Sequence, residues 1–353
     1  MRQQQLILSI VVAALSCSDN GSNSPGADAA VSRDVAPDAI AGEDVFVAPD
    51  VAAPDVAAPD VMSADAPTSG PVGEVIARDQ MGPFGIALDA THVYWTNLNS
   101  GGVFRMPKAG GAPETLATGA ASAIGVHEGY VYWTGSNHSL HRRPVAGGTS
   151  QELSRLPTAG SQVTAFLALT SRYAVWGGGV QIGYISLDGS GMRYLAPLPC
   201  NACGATNLTA DEAHIYWSRP SEIARAAFGS MRPERVAIGG GLGLVVDGAN
   251  VYWGTHGARE IQRAPLAGGT VATVAAGAGY PEHLARDATH VYWTEGSRSA
   301  LVRRAPLAGG AAQVVAVAAV GAPWRLAVDD THVYWTDSMG GTLGRAPKAP
   351  ASR

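Results

Sequence analysis

The chain is predicted to be all-β, a seven-bladed β-propeller of four-stranded antiparallel blades carried on a disordered tether. Three observations predict it. A Val-Tyr-Trp motif, or a close variant, recurs with Trp at 95, 133, 176, 217, 253, 293 and 335, at spacings of 38, 43, 41, 36, 40 and 42 residues. Each repeat has room for four short strands separated by turn residues. The last repeat stops after its third strand, and a strand of matching pattern precedes the first repeat. Four short strands repeated at about 40 residues make a propeller blade.

The stretch from Gly85 to Gly119 shows the elements in order. Its first strand is GIAL. An Asp then opens a tight turn, at Asp89, Asp211, Asp247, Asp287 and Asp329; an Asp carboxylate accepts a hydrogen bond from backbone two residues on. The second strand is VYWT. Blades stack face to face, so both faces of this strand must be covered: Val and Trp point one way, Tyr and Thr the other. The third strand ends in an Arg-x-Pro-like pattern, as at Arg105-Met106-Pro107 and Arg263-Ala264-Pro265. Gly-Gly pairs follow at 110–111, 147–148, 268–269 and 309–310, because a short hairpin needs positive φ. The fourth strand is of the ETLA type. GEVIARD, residues 73–79, resembles it and is expected to supply the missing fourth strand of the seventh blade, closing the ring without sheet edges. The propeller then occupies 73–353.

The N-terminus reads as a targeting segment over 1–17. Arg2 precedes a ten-residue apolar run, Leu6 to Leu15, which is too short to span a bilayer. Ala14-Leu15-Ser16-Cys17 resembles a bacterial lipobox, which implies lipidation at Cys17; the alternative is ordinary secretion with Cys17 in a discarded peptide. Ser18 after the Cys implies, by the same resemblance, the outer membrane of a Gram-negative cell. Residues 18–72 form an Ala/Pro/Asp/Val-rich segment, APDVAAPDVAAPD at its centre, expected to stay unfolded as a spacer. Nine Asp, Glu43 and Arg33 put −9 on it, against −5 for the whole chain. The remainder is mildly positive, which excludes a strongly basic nucleic-acid surface. The expected address is extracytoplasmic and lipid-anchored, and the expected state is a monomer.

Tyr334-Trp335-Thr336-Asp337, and the Tyr184-Ile185-Ser186-Leu187-Asp188-Gly189-Ser190 stretch, resemble YWTD and NHL-type propellers. The DATHVYWTN and PLAGG phrases resemble the repeat-containing surface lipoproteins of myxobacteria. YWTD propellers have six blades against seven here. The final Asp is present only in the last repeat, the others carrying Asn97, Gly135, Gly178, Arg219, Thr255 and Glu295. The resemblance therefore implies the fold rather than receptor-like ligand binding.

His92, His214, His290 and His332 all stand three residues before the Trp. Equivalent positions on a ring lie too far apart to share a metal, so a turn and packing role is expected. Recurring Arg at 105, 143, 225, 263, 304 and 345 are assigned a structural role between blades, with the turn aspartates as expected partners. Cys200 and Cys203, in PLPCNACGATN between the third and fourth repeats, are expected to form a local disulfide. No GxSxG, HExxH or phosphate-loop motif is present.

Ligand sites are sought where the repeat breaks. The residue pairs at the starts of the first strands are Phe84-Gly85, Ser122-Ala123, Ala165-Phe166, Thr206-Asn207, Leu242-Gly243, Glu282-His283 and Trp324-Arg325. Most are small or apolar. Two adjacent blades instead bring Glu282, His283, Trp324 and Arg325 to the channel mouth. His256 is expected to face Glu282, and His138 and His141 decorate the second blade. Charged and aromatic groups converging on a concavity suit a ligand; the alternative is solvation of the channel mouth. The leading functional expectation is a non-catalytic module binding a protein, peptide or glycan, with no cofactor. The second is a metal-assisted lyase or hydrolase similar to the seven-bladed streptogramin lyases, with Glu282, His283 and His256 as its acid/base and metal groups.

Overall fold

The computed structural model describes residues 69–156, 166–178, 181–195, 205–230, 232–295 and 299–348. Cys17, the segment up to residue 68, and Cys200 with Cys203 lie outside the described residues. Within them are seven four-stranded antiparallel sheets. The first blade runs Pro83–Leu88, His92–Asn97, Val103–Pro107 and Glu114–Ala117, paired in that order. First strands of successive blades neighbour one another around a closed ring.

Ring closure follows the sequence expectation. Glu74–Ala77 pairs antiparallel with Thr342–Pro347 and completes the seventh blade. Glu74 lies opposite Arg345 and forms an ion pair with it at 2.8 Å. Arg105 and Glu114 do the same within the first blade at 2.7 Å, and Arg225 and Glu234 within the fourth at 3.3 Å. The borrowed strand thus reproduces the side-chain pairing of an intact blade. One feature was not legible: the chain ahead of this strand also runs parallel to the outer strand of blade six, with Gly73 N–H donating to the Val317 carbonyl at 2.8 Å and Val317 N–H to Pro71 at 2.9 Å.

The seams between blades explain the repeated motif. Val93 and Trp95 pack on Tyr334 of the preceding blade, while Tyr94 packs on Val131 and Trp133 of the next. The same exchange joins Tyr216 to Val251 and Trp253, Tyr252 to Val291 and Trp293, and Tyr292 to Val333 and Trp335. Six of the seven motif Trp are among the largest fully buried side chains. The Thr at the end of the motif bonds rather than merely packs: its hydroxyl donates to the next blade, Thr294 to the Trp324 carbonyl at 2.9 Å and Thr336 to the Phe84 carbonyl at 2.8 Å.

The turn Asp does what its chemistry suggests, and more. Asp89 accepts from the N–H groups of Thr91 and His92, both at 2.7 Å, through one oxygen. Its other oxygen accepts the Tyr94 hydroxyl at 2.6 Å. Asp211, Asp247 and Asp287 repeat this with Tyr216, Tyr252 and Tyr292. Burial, and then the adjoining carboxylate, push the Tyr94 phenol up to about 12. All eight glycines of the four Gly-Gly hairpins have positive φ, from 86° at Gly268 to 156° at Gly310.

Two expectations about the recurring arginines are corrected. In the second blade the repeated position is Arg142, which lies opposite Tyr132; Arg143 pairs with Val131 instead. The register, not the spacing from Trp, identifies the residue, because the loop of this blade contains a short 3-10 turn at Ser136–His138. Nor do the arginines pair with the turn aspartates. Each donates to a backbone carbonyl at the outer turn of the next blade: Arg105 to Val145, Arg142 to Leu187, Arg225 to Leu266, Arg263 to Leu307, Arg304 to Lys348 and Arg345 to Lys108. The third blade has Tyr184 at this position, and its hydroxyl accepts from Gly229 of the fourth at 2.7 Å. Lysine takes the aspartate where a charge partner exists, with Lys108 on Asp329 at 2.8 Å and Lys348 on Asp287 at 2.7 Å.

Candidate functional site

The histidines of the repeat are turn residues, as expected. The Nδ1 atoms of His92, His290 and His332 lie 2.7 to 2.8 Å from the preceding Thr hydroxyl. Their rings lean on the motif Tyr at centroid distances of 6.0 to 6.1 Å. His141 stacks on Trp133 at 5.4 Å, and burial lowers its pKa. The His138 carbonyl accepts the Trp176 indole N–H at 3.1 Å. These groups serve the scaffold.

At the starts of the inner strands the pattern differs. Phe166 lies opposite Gly177, Asn207 opposite Ser218 and His283 opposite Thr294, while the Thr336 N–H donates to the Arg325 carbonyl. Gly85 and Ala123 occupy the matching positions of the first two blades and Leu242, opposite Gly254, that of the fifth, so the ring carries two small residues beside Phe, Asn, Leu, His and Arg. Gly85 is required there, since a Cβ would stand 2.4 Å from the Ser122 carbonyl oxygen. The ring opens on a small cavity of about 80 Å³. Phe84, Ile86, Ile124, Phe166, Leu167 and Leu208 line it with apolar side chains, and Asn207, His283 and Arg325 supply its polar groups.

Arg325 reaches across this cavity. Its guanidinium carbon lies 5.0 Å from the Phe84 ring centre and 5.3 Å from that of Phe166, within cation–π range. Among the described residues its guanidinium has no hydrogen-bond acceptor; only its backbone N–H is bonded, to the Thr336 hydroxyl at 3.3 Å. Burial depresses the guanidinium pKa to about 10, with the nearby Glu282 charge opposing the shift. The group stays a cation at neutral pH. Burial, then the Arg325 charge, hold His283 well below the usual imidazole range, so it is neutral. Its Nδ1 accepts the Leu326 N–H at 3.3 Å, which places the ring proton on Nε2.

Of the five residues singled out from sequence, the structure brings His283 and Arg325 to the cavity wall. Glu282 and His256 form a pair beside it, with His256 Nε2 3.7 Å from the carboxylate and 3.1 Å from the Pro281 carbonyl. The His256 ring meets Tyr280 edge-on at 5.8 Å. Trp324 is not among the lining residues; its backbone N–H donates within its own blade to the Thr336 carbonyl at 2.7 Å, and its carbonyl locks the seam by accepting the Thr294 hydroxyl at 2.9 Å. No three His, Cys, Asp or Glu side chains among the described residues converge where they could hold a metal. Glu282, His283 and His256 therefore do not make the ion-binding set that metal-assisted chemistry requires of them. Sequence reasoning passed over Phe84, Phe166 and Asn207 as unremarkable strand starts. A signal was present: the chain has only five Phe, and two of them stand at this level of the ring.

No protein-family model matches the chain, and comparison with curated proteins returns no match. Solved structures do match. Virginiamycin B lyase from Staphylococcus aureus is 15% identical with a TM-score of 0.66, covering 78% of this chain and 98% of that one. The computationally designed Ika8 protein is 12% identical with a TM-score of 0.56, over 77% of this chain and 98% of that one. A protein of unknown function from Bacteroides thetaiotaomicron is 14% identical with a TM-score of 0.51, over 79% of this chain and 73% of that one. At these identities the likeness establishes the fold and no activity.

Proposed function

We propose that the chain is a membrane-anchored, extracytoplasmic propeller acting as a non-catalytic binding module for a protein, peptide or glycan. Lipidation at Cys17 would hold it to the outer membrane, and the segment after it would space the propeller from the lipid. The observation that carries the binding reading is Arg325, a half-buried cation at the channel mouth held by two ring faces, with no hydrogen-bond acceptor for its fork of donors among the described residues. A scaffold role would have matched it with a carbonyl, as the recurring arginines are matched at the seams.

The second reading is a metal-assisted lyase. It draws on the fold shared with virginiamycin B lyase, a catalytically inactive form of which was solved with quinupristin. It stands lower because His256, Glu282 and His283 do not assemble into a metal set.

The test uses the full chain in intact cells. Cys17→Ala is expected to move it from the membrane to the soluble fraction. Crosslinking and capture with wild type and with Arg325→Ala should recover a partner that the variant loses. Identical recovery by both, with both folded, would remove the cavity from the binding reading.

A further inference from the structure

We infer that the channel mouth is a receptor site for a monocarboxylate bearing a compact apolar group. This rests on the binding reading above and names the chemistry of its ligand. Arg325 and His283 offer the cavity donors, and Asn207 can donate or accept. Arg325 presents a planar fork of N–H groups, which fits a carboxylate through two parallel hydrogen bonds. Its flanking Phe84 and Phe166 rings, at 5.0 and 5.3 Å, hold the cation in place without using that fork. His283 is neutral, and with Nδ1 accepting from Leu326 it carries its proton on Nε2, so it too is a donor.

Charge limits the ligand to a monoanion. Among the described lining residues Arg325 is the one cation, and the Glu282 carboxylate lies close enough to act on it. A dianion such as phosphate would meet Glu282 with its second charge unmatched. The body of the ligand is set by the remaining wall. Ile86, Ile124, Leu167 and Leu208 stand behind the polar groups, and a cavity of about 80 Å³ admits only a compact group beside the carboxylate. Gly85 and Ala123 keep the ring positions of the first two blades small. A carboxylate entering head first would place its charge at Arg325 and its apolar group against these residues.

The test is a ligand-observed NMR titration of the full chain with benzoate, with benzamide as its uncharged isostere and inorganic phosphate as the dianion. Benzoate is expected to bind, with benzamide and phosphate at least about tenfold weaker, as loss of a charge-assisted pair implies. Arg325→Met should weaken benzoate by about tenfold or more, and Arg325→Lys, which keeps the charge and loses the fork, should fall between. Acetyl-Ala-Phe with a free or an amidated C-terminus separates two sources: tighter binding of the free peptide than of benzoate identifies a peptide end, and weaker binding identifies a free organic acid. Equal binding of benzoate and benzamide, or no effect of Arg325→Lys, would overturn the inference. If Arg325→Met fails to fold, the wild-type comparison of acid with amide decides. Arg325-dependent capture in cells with no benzoate binding would sink the carboxylate class alone. Benzoate binding without a captured partner would strike the module reading and leave this site standing.

Discussion

The seams between blades and the mouth of the central channel are built from the same repeat and behave in opposite ways. At the seams the recurring cations have partners. Arg225, Arg263 and Arg304 reach the outer-turn carbonyl of the next blade, and Lys348 and Lys108 take the turn aspartates. At the mouth Arg325 is half-buried and finds two aromatic rings and no hydrogen-bond acceptor among the described residues. Ring faces hold a cation without occupying its N–H donors. Where the scaffold matches the other arginines and not this one, the donors of Arg325 are left to whatever enters the channel mouth.

The largest effect should come from the seam itself. Trp293→Ala removes a side chain that is fully buried between blades five and six. It should cost about 3–5 kcal/mol in urea unfolding. A loss under about 1 kcal/mol would mean that the blades hold together by other means. Tyr292→Phe is subtler. It deletes the hydroxyl that donates to Asp287 and should cost about 1–2 kcal/mol.

Acid should distinguish the seams next. Hydrogen bonds from Lys348, Thr289, His290 and Tyr292 outweigh burial and hold Asp287 well below the usual carboxylate range, and Asp329 is held similarly by Lys108. A folded-state pKa below the unfolded one gives stability that is present above the unfolded value of about 4 and lost as pH falls through the folded one. The urea midpoint should therefore drop below pH 4. Lys348→Met should make that drop shallower and cost about 1 kcal/mol or less at pH 7. An unchanged acid slope would remove Lys348 from the account.

The smallest stability change belongs to the mouth. Arg325→Met replaces a half-buried cation, held by ring faces alone, by an apolar side chain of similar length, and the thermal midpoint should change little. A large fall would make Arg325 a structural residue and erase the contrast with the seams.

Much of the fold was open to reading in the chain. The spacing of Val-Tyr-Trp sets seven blades, the Asp before it sets each turn, and GEVIA before the first repeat announces the closing strand. These are local patterns, each tied to a period or a turn geometry, and they act wherever they occur. The arginine partners were not legible, because a donor that bonds a backbone carbonyl on the next blade leaves no complementary residue to find. Spacing along the chain points to Arg143 where the register selects Arg142, because a 3-10 turn shifts one blade.

The site divides along the same line. The sequence by itself determined that Glu282, His283, Trp324 and Arg325 break the repeat at the starts of two inner strands. Only the tertiary structure decided which of them face the cavity. Trp324 turned out to lock a seam through its backbone, while Phe84 and Phe166, from the first and third blades, came to flank a guanidinium from the seventh. A closed ring brings distant strand starts to one point, and that convergence depends on side-chain reach across the channel, which no spacing along the chain encodes.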